Sequence, residues 1–276
     1  MATDDRRILA DLAEAIDARR PVALVTVVAT HRSAPRRAGT KMLVHADGRR
    51  IGTVGGGAME ARVVAEATRA LRDGRTRFLE YELVDADRGD PGVCGGEISI
   101  YVEPYMPAPT VLVVGCGHVG KAVIDLAHWL GYRTVATDDR VELVTEEALP
   151  NADVLLPGSI GDALDAFAIT GDTSVVVVTR SSDEDVLVIP RLVETPAAYI
   201  GVMGSRRRWQ ITRDRLISAG VEETRLEQIH NPVGIDLGAE TLEEIAVSIL
   251  AEVISTNRRR VDPDGLDAVP DEHGSS

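Results

Sequence analysis

One segment, VLVVGCGHVGKAV at 111–123, constrains the fold of this chain more than any other. Four apolar residues at 111–114 predict a buried strand, and a helix is expected at 118–130. Between them, Gly115, Gly117 and Gly120 form the pattern G-x-G-x-x-G. In a strand–turn–helix unit, the first glycine makes the turn, the second lets a pyrophosphate approach and the third lets the helix pack on the strand. The three glycines are therefore predicted to bind a dinucleotide or another phosphate ligand.

The rest of the second half repeats the alternation of strand and helix. Apolar and β-branched runs predict further strands, and a helix is expected at Ser205–Ala219. The predicted strands are Arg133–Thr137, Val154–Leu156, Ser174–Thr179 and Tyr199–Val202. This alternation predicts a Rossmann-like, doubly wound parallel sheet with right-handed crossovers. A capping box from Thr241 to Glu244 opens a last helix that we expect to end near Asn257.

An acidic residue stands where a nucleotide-binding sheet of this kind contacts a ribose. Asp138 and Asp139 lie at the end of the second predicted strand, about twenty residues after the glycines. A carboxylate there accepts hydrogen bonds from a ribose 2′-hydroxyl and repels a 2′-phosphate. The alternative is that the glycines serve helix packing alone and that Asp138 is solvated.

The first half predicts an α/β domain with a different order of elements. We expect helices at 5–19 and 58–73, strands at 22–29, 78–83 and 98–102, and a hairpin of 42–45 with 50–54 around Asp47-Gly48. The predicted organisation is an N-terminal domain at 1–104, a proline-rich linker at 105–109, the Rossmann-like domain at 110–260 and a disordered tail at 261–276.

The loop SAPRRAGTKM is a candidate anion site. Ser33, Arg36 and Lys41 lie within nine residues of one another, and Arg37 adds a further cation. Arginine forks match phosphate oxygens bidentately, so that we predict cofactor binding by Ser33, Arg36 and Lys41. The alternative is a solvated turn.

Three successive glycines make a second candidate. Gly55, Gly56 and Gly57 directly precede a predicted helix, whose first backbone amides and dipole form a ready site for an anion. We predict that these glycines bind the cofactor, although glycines also simply end strands. Glu60 lies in the first turn of this helix, where its negative charge equally fits an interaction with the helix dipole.

The segment MGSRRRW resembles another strand-to-helix turn. Ser205 is a natural N-cap, and arginines occupy the first turn of the predicted helix, where cations oppose the helix dipole. A bound anion would offset that repulsion. Gly204, Ser205 and Arg206 are therefore predicted to contact a phosphate.

Cys94 is the candidate for soft-metal or sulfur chemistry. It lies in the glycine-flanked segment GVCGGE, where open backbone amides would stabilise a thiolate. We predict that Cys94 is the catalytic and metal-ligating residue, and a structural role stays open. Cys116, between two of the fingerprint glycines, is more typical of a small buried filler.

Charge and hydropathy exclude two classes of partner. The net charge of −14 at pH 7 disfavours nucleic acid, because a phosphate backbone needs a basic face. The acidic N-terminus has no apolar signal core, and no stretch approaches a membrane span. We expect a cytoplasmic protein without membrane attachment.

Taken in order, these motifs resemble the XdhC/CoxI family of molybdenum-enzyme maturation proteins. The resemblance extends from about Val22 to Arg259 and is carried by HRSAPRRAGTKMLV, GTVGGGAMEA, GVCGGE, VLVVGCGHVG, YIGVMGSRRR and NPVGIDLGAETLEEIAVSILAEV. It implies an N-terminal α/β XdhC/CoxI domain followed by a Rossmann-like domain.

The resemblance also implies a function. Such a protein binds the molybdenum cofactor, as molybdopterin or its dinucleotide form, promotes its sulfuration and hands it to the large subunit of an apo molybdenum hydroxylase of the xanthine or carbon monoxide dehydrogenase type. The implied partners are that apo enzyme, a cysteine desulfurase and a second copy of the chain. An accessory role is favoured over catalysis.

The chain departs from the family at one position. Family members often have a histidine in the segment that here reads TRSSDED, and Arg180 occupies that place. Two other functions stay open: an NAD(P)-dependent oxidoreductase, with NAD(P) as its cofactor, and a nucleotide-sensing module without catalysis.

Overall fold

An antiparallel sheet and a parallel sheet organise the chain in the computed structural model, which describes residues 3–32, 36–82 and 96–261. The contacts divide these residues into two compact units, one up to Pro107 and one from Ala108 onward. Among the described residues, no helix combines the length and the apolar character needed to cross a membrane.

The first unit is an antiparallel sheet with a helix on each face. Its strands have the order β3-β2-β1-β5-β4. The elements are α1 (Thr3–Asp17), β1 (Val22–His31), β2 (Lys41–His45), β3 (Arg50–Gly52), α2 (Gly57–Asp73), β4 (Arg77–Glu82) and β5 (Glu97–Tyr105). The α/β nature predicted for this half is confirmed.

Alternation along β1 explains why both faces are covered. Val22 and Leu24 point to one side and pack with Ile8 of α1, whereas Ala23 and Val25 point to the other side and join the core under α2. Each helix thus buries one face of the sheet.

The proline-rich segment begins inside a strand. Pro104 pairs with Ala23 of β1, and β4 starts at Arg77 opposite Val102. Pro104 therefore lies beyond the part of β5 that pairs with β4, where a missing N–H leaves no gap in that ladder. The segment between the two sheets is residues 106–109.

The second unit is a doubly wound parallel sheet. Its order is β8-β7-β6-β9-β10-β11, which, counted from β6, is the order 3-2-1-4-5-6 of dinucleotide-binding folds. The elements are β6 (Thr110–Val114), α3 (His118–Trp129), β7 (Arg133–Asp138), β8 (Val154–Pro157), α4 (Ile160–Ala166), β9 (Thr173–Val177), α5 (Ser182–Leu192), β10 (Tyr199–Val202), α6 (Arg206–Ser218), α7 (Glu223–Leu226), β11 (Ile229–His230) and α8 (Leu242–Val261). The predicted Rossmann-like sheet is confirmed.

The central strands β6 and β9 are buried along their whole length, as expected of strands covered on both faces. One face carries α3 and α8, and the other carries α4, α5 and α6. The chain leaves β6 toward one face and β9 toward the other. The crevice at the carboxyl ends of these two strands is where open α/β sheets bind ligands.

The last helix begins as predicted and ends later. The Glu244 carboxylate accepts a hydrogen bond from the backbone N–H of Thr241 (3.0 Å), and Thr241 Oγ1 accepts one from the N–H of Glu244 (3.2 Å). This confirms the capping box. The helix then runs four residues past the expected end at Asn257, to Val261. Residues 262–276, predicted as a disordered tail, lie outside the described part of the chain.

Candidate functional site

The three fingerprint glycines have different structural reasons to be glycine. Gly115 has a φ of +104°, and a Cβ there would lie 2.7 Å from the carbonyl oxygen of Val178. A Cβ at Gly120 would lie 2.0 Å from the carbonyl oxygen of Gly115. At Gly117, by contrast, the nearest atom to a Cβ is Arg140 Nη2 at 4.0 Å. The space beside Gly117 is therefore open to a ligand, whereas the other two glycines are required by packing.

Asp138 lies at the carboxyl end of β7, as the ribose contact requires, but its oxygens already have partners. It is 2% exposed, and it accepts hydrogen bonds from the N–H of Cys116 (2.7 Å) and from the N–H (2.9 Å), Nε (2.9 Å) and Nη2 (2.8 Å) of Arg140. Burial opposes its charge, but these hydrogen bonds and the Arg140 charge outweigh it and lower the pKa of Asp138 to about 2. A ribose hydroxyl would share the carboxylate with Arg140, and the ribose contact stays a prediction.

Cys116 is the buried filler that the sequence indicated. Its side chain is 4% exposed, and its Sγ lies 3.4 Å from the carbonyl oxygen of Thr137. Burial, together with the Asp138 charge, raises the pKa of this thiol to about 12. The thiol therefore stays protonated at neutral pH and is a poor nucleophile.

Arg180 joins two acidic residues at the same edge of the sheet. Its Nη2 lies 2.7 Å from Asp139 Oδ2, and its Nε lies 2.7 Å from Glu184 Oε1. Arg180 thus bridges the loop after β7 and the first turn of α5.

The three arginines in the first turn of α6 differ in their surroundings: Arg208 forms an ion pair, and the other two are exposed. Ser205 caps the helix by accepting a hydrogen bond from the N–H of Arg208 (3.2 Å), which confirms the predicted N-cap. Arg208 turns inward, where its Nη2 lies 2.7 Å from the buried Asp185. Arg206 and Arg207 are exposed and form no ion pair with another residue of the described ranges.

These features meet at one edge because of the strand order. Gly115 follows β6, Thr179 follows β9 and Gly204 follows β10, and these three strands are neighbours that run in the same direction. Arg208 also reaches Thr179, with its Nη2 3.2 Å from Thr179 Oγ1. The site residues that we predicted in the second half therefore lie along a single carboxyl edge.

In the first unit, the triple glycine turn holds an internal carboxylate. Glu60 Oε2 accepts hydrogen bonds from the N–H groups of Val54 (3.2 Å) and Gly56 (3.1 Å) and from Thr53 Oγ1. Burial opposes ionisation of this carboxyl, but the hydrogen bonds and Arg50 outweigh it and lower the pKa of Glu60. The loop is thus an anion-binding turn, and a phosphate would reach the amide of Gly56 only after displacing Glu60.

The remaining candidates of the first half that the structure describes lie toward one edge of its sheet. Lys41 begins β2 and reaches the carbonyl oxygen of Gly39 (3.2 Å), and Arg36 is exposed. The end of β3, from which the chain continues to Gly55 and Gly57, lies at the same edge because β2 and β3 are antiparallel. Ser33 and Cys94 lie outside the described residues.

No group of three or more His, Cys, Asp or Glu side chains is arranged to hold a metal ion within residues 3–32, 36–82 and 96–261. The prediction that Cys94 ligates a metal is not tested by this observation.

The structure assigns three charged residues as internal partners, a role that the sequence did not reveal. Arg140, Glu60 and Asp185 fill the very positions at which an external ligand was expected. All three carry a sequence signal. Glu60 lies in the first turn of α2, Arg140 directly follows Asp138-Asp139, and Asp185 lies in the acidic first turn of α5.

The fold and this carboxyl edge together define a protein in which an antiparallel α/β unit is followed along the chain by a Rossmann-type domain. Comparison with family models identifies the family. The model of the XdhC and CoxI family matches residues 15–82, and the model of the XdhC Rossmann domain matches residues 111–253. The chain belongs to the XdhC/CoxI family.

Three relatives are similar over much of the chain. The uncharacterized protein YqeB of Escherichia coli (strain K12) is 34% identical over 251 residues, which cover 89% of this chain and 45% of that protein. A probable xanthine dehydrogenase subunit of Bacillus subtilis (strain 168) is 30% identical over 58% of this chain and 47% of its own length. The molybdenum cofactor insertion chaperone PaoD of Escherichia coli (strain K12) is 27% identical over 92% of this chain and 89% of its own length.

This chain therefore spans less than half the length of two of these relatives. Among solved structures, a xanthine dehydrogenase from Bacillus halodurans has the same fold, with a TM-score of 0.51 and 22% identity over 91% of this chain and 96% of that one.

Proposed function

We propose that this protein binds the molybdenum cofactor as cargo, promotes its sulfuration and inserts it into an apo molybdenum hydroxylase of the xanthine or carbon monoxide dehydrogenase type. Its membership of the XdhC/CoxI family and its similarity to an insertion chaperone over nearly the full length of both chains support an accessory role of this kind.

The observation that carries the proposal is the carboxyl edge of the second sheet. An open space beside Gly117 and two exposed arginines, Arg206 and Arg207, lie at the ends of parallel strands. Phosphate groups are stabilised by such glycine turns and by cations without internal partners. Both forms of the cofactor carry phosphate, and we assign it to Gly117, Gly204, Ser205 and Arg206.

The first unit supplies the second group of contacts. Arg36 and Lys41 are available to an anion, since neither forms an ion pair with another described residue. We assign the sulfur step to Cys94. Its thiolate would attack the outer sulfur of a persulfide on a cysteine desulfurase, which releases the desulfurase thiolate, or would ligate molybdenum. Insertion requires contact with the large subunit of the apo enzyme, and we place the protein in the cytoplasm as a homodimer.

An NAD(P)-dependent oxidoreductase is the second candidate. The strand order of the second sheet favours it, because dinucleotides bind in the crevice at the carboxyl ends of β6 and β9 in folds with this order. The ion pair between Asp138 and Arg140 weighs against it, because the carboxylate that would hold the ribose is already engaged.

Cofactor binding and transfer test the proposal. Full-length protein is expected to copurify with molybdopterin and to activate an apo molybdenum hydroxylase. Arg36→Ala is expected to weaken molybdopterin binding by about 1.5–3 kcal/mol if the guanidinium contacts a phosphate. Arg49→Ala is the matched control, because Arg49 pairs with Asp11 of α1.

Cys94→Ser separates transfer from binding. Serine is nearly isosteric but lacks a soft, readily ionised donor, so that activation of the apo enzyme is expected to fall while molybdopterin binding persists. Full activation by the serine variant would remove Cys94 from the mechanism. Turnover of NADH without retained pterin would favour the oxidoreductase.

A further inference from the structure

A cleft of about 450 Å³ opens between α4 and α5 at the carboxyl edge of the second sheet. This volume is in the range of small-molecule sites, about 300–1,000 Å³. Asp139 enters it from the loop after β7, Ser159 from the loop after β8, and Glu184 from the first turn of α5. The cleft therefore lies at the carboxyl ends of β7, β8 and β9, at the same edge of the sheet as the glycine turn that follows β6.

Apolar side chains form its two opposing walls. Ile160 and Leu164 line it from α4, and Leu187 and Val188 line it from α5. Val188 is 3% exposed, but Leu187 is 75% exposed at the rim of the cleft. Two apolar walls on neighbouring helices favour a flat ring between them, which would cover Leu187.

The polar groups of the cleft select for hydrogen-bond donors. Asp139 and Glu184 carry negative charge, and Arg180 bridges the two at 2.7 Å each. The other cation, Arg191, is bonded to the carbonyl oxygen of Gly161 (2.7 Å) and to Asp165. A phosphate would be repelled here, whereas an N–H group would be accepted, because each carboxylate oxygen can take a second hydrogen bond.

We propose that this cleft binds the ring edge at which an N–H donor lies next to an amino group, as in pterin and guanine. Glu184 accepts both donors, and the walls from α4 and α5 cover the ring faces. This inference rests on the proposed function and assigns the heterocyclic end of the cargo to the Rossmann-like domain. Adenine and cytosine present an acceptor nitrogen beside their amino group, which the carboxylate of Glu184 repels.

The cleft is continuous in sequence with the phosphate site. Asp139 lines the cleft, and its neighbours on either side, Asp138 and Arg140, form the ion pair beside Gly117. A ligand with its phosphate at Gly117 and its ring in the cleft would pass over this short segment.

The test uses full-length protein and four separate probes in calorimetric titrations: pterin, GMP, AMP and CMP. We expect pterin or GMP to bind at least about tenfold more tightly than AMP and CMP. Binding of pterin but not GMP would assign the cleft to the pterin end of the cargo. Binding of GMP but not pterin would assign it to a nucleotide end.

Two variants locate the binding in the cleft. Glu184→Gln replaces one acceptor oxygen with a donor and is expected to weaken the preferred probe about tenfold or more. Leu164→Trp fills the space between the walls and is expected to abolish binding. Glu146→Gln, at an exposed position outside the cleft, is the matched control, and unfolding midpoints show that each variant is folded.

The inference is overturned if AMP or CMP binds as tightly as pterin and GMP, if no probe binds, or if folded Glu184→Gln binds like the wild type. Copurified molybdopterin and activation of an apo enzyme are measured in parallel. If the wild type neither copurifies with molybdopterin nor activates an apo enzyme, the proposed function is contradicted. Their persistence in Leu164→Trp would contradict the cleft alone.

Discussion

The carboxylate of Asp138 accepts a 2.7 Å hydrogen bond from the backbone N–H of Cys116, 22 residues earlier in the chain. This bond joins the glycine turn after β6 to the end of β7. Arg140 closes the arrangement from the other side with three hydrogen bonds to the same carboxylate. The glycine turn is thus held in place by an internal charge pair, whatever ligand it contacts.

Asp138→Asn is expected to destabilise the second unit by about 2 kcal/mol at pH 7. The pKa of Asp138 falls from its usual 3.8 to about 2, and each unit corresponds to about 1.4 kcal/mol. Because the pKa in the folded state is lowered, the stabilisation is present above about pH 4 and is lost as the pH falls toward 2. Urea unfolding of wild type and variant from pH 7 to pH 3 measures it.

Asp139→Asn is the control for this prediction. Asp139 is 45% exposed and pairs with Arg180, and an exposed pair contributes about 1 kcal/mol or less. A stability difference between wild type and Asp138→Asn that stayed constant over the pH range would contradict the assigned charge effect.

The Rossmann-like sheet could be predicted because its signals are local. The G-x-G-x-x-G turn, the buried β-branched strands and the capping box at Thr241 each lie within a few residues. We predicted no helix at α4, α5 or α7. Two of these, α4 and α5, nevertheless carry a local signal, because the side chains of Ser159 and Ser181 cap them by accepting hydrogen bonds from the N–H groups of Asp162 and Glu184. The two-residue strand β11 has no periodicity that a sequence could reveal.

The internal partners of the candidate site were not predictable in the same way. Glu60 reaches the amide of Gly56 only because the turn after β3 wraps back over the first turn of α2. Arg208 finds Asp185 across 23 residues, between two helices that pack side by side. Whether a charge is solvated, paired or free for a ligand depends on such tertiary contacts.

Glu60→Ala is expected to destabilise the first unit by about 1–3 kcal/mol. It leaves the N–H groups of Val54 and Gly56 without the acceptor that they share. Glu60→Gln keeps an acceptor oxygen and is expected to have a smaller effect. Thermal unfolding of the two variants checks this order, and an alanine variant as stable as the wild type would show that the carboxylate does not hold the turn.

Gly120→Ala and Gly117→Ala separate packing from ligand approach. A Cβ at Gly120 would lie 2.0 Å from a backbone oxygen, so that we expect a loss of about 3 kcal/mol or more, or failure to fold. A Cβ at Gly117 meets nothing closer than 4.0 Å, and its φ of −69° suits any residue. This variant is expected to fold normally.

A larger side chain at Gly117 tests ligand approach through its effect on molybdopterin binding. Gly117→Val places a larger side chain in the open space and is expected to lose molybdopterin retention while its unfolding midpoint changes little. Retained binding would contradict a ligand position beside Gly117. Loss of binding together with loss of folding would give it no support.

Arg208→Ala is expected to reduce stability and Arg206→Ala to reduce molybdopterin binding, although the two residues are only two positions apart. Arg208 neutralises Asp185, which is 1% exposed, and truncating it leaves a buried charge without a cationic partner, at a cost of about 3–5 kcal/mol. Arg206 is exposed and forms no ion pair with another described residue, so that Arg206→Ala is expected to change stability by about 0.5 kcal/mol or less. Its effect should fall on molybdopterin binding and weaken as salt is raised, because exposed charges are screened.

Urea unfolding and binding titrations at two salt concentrations distinguish the two roles. Equal destabilisation by both variants would contradict the division, and unchanged binding by Arg206→Ala would remove this residue from the phosphate site.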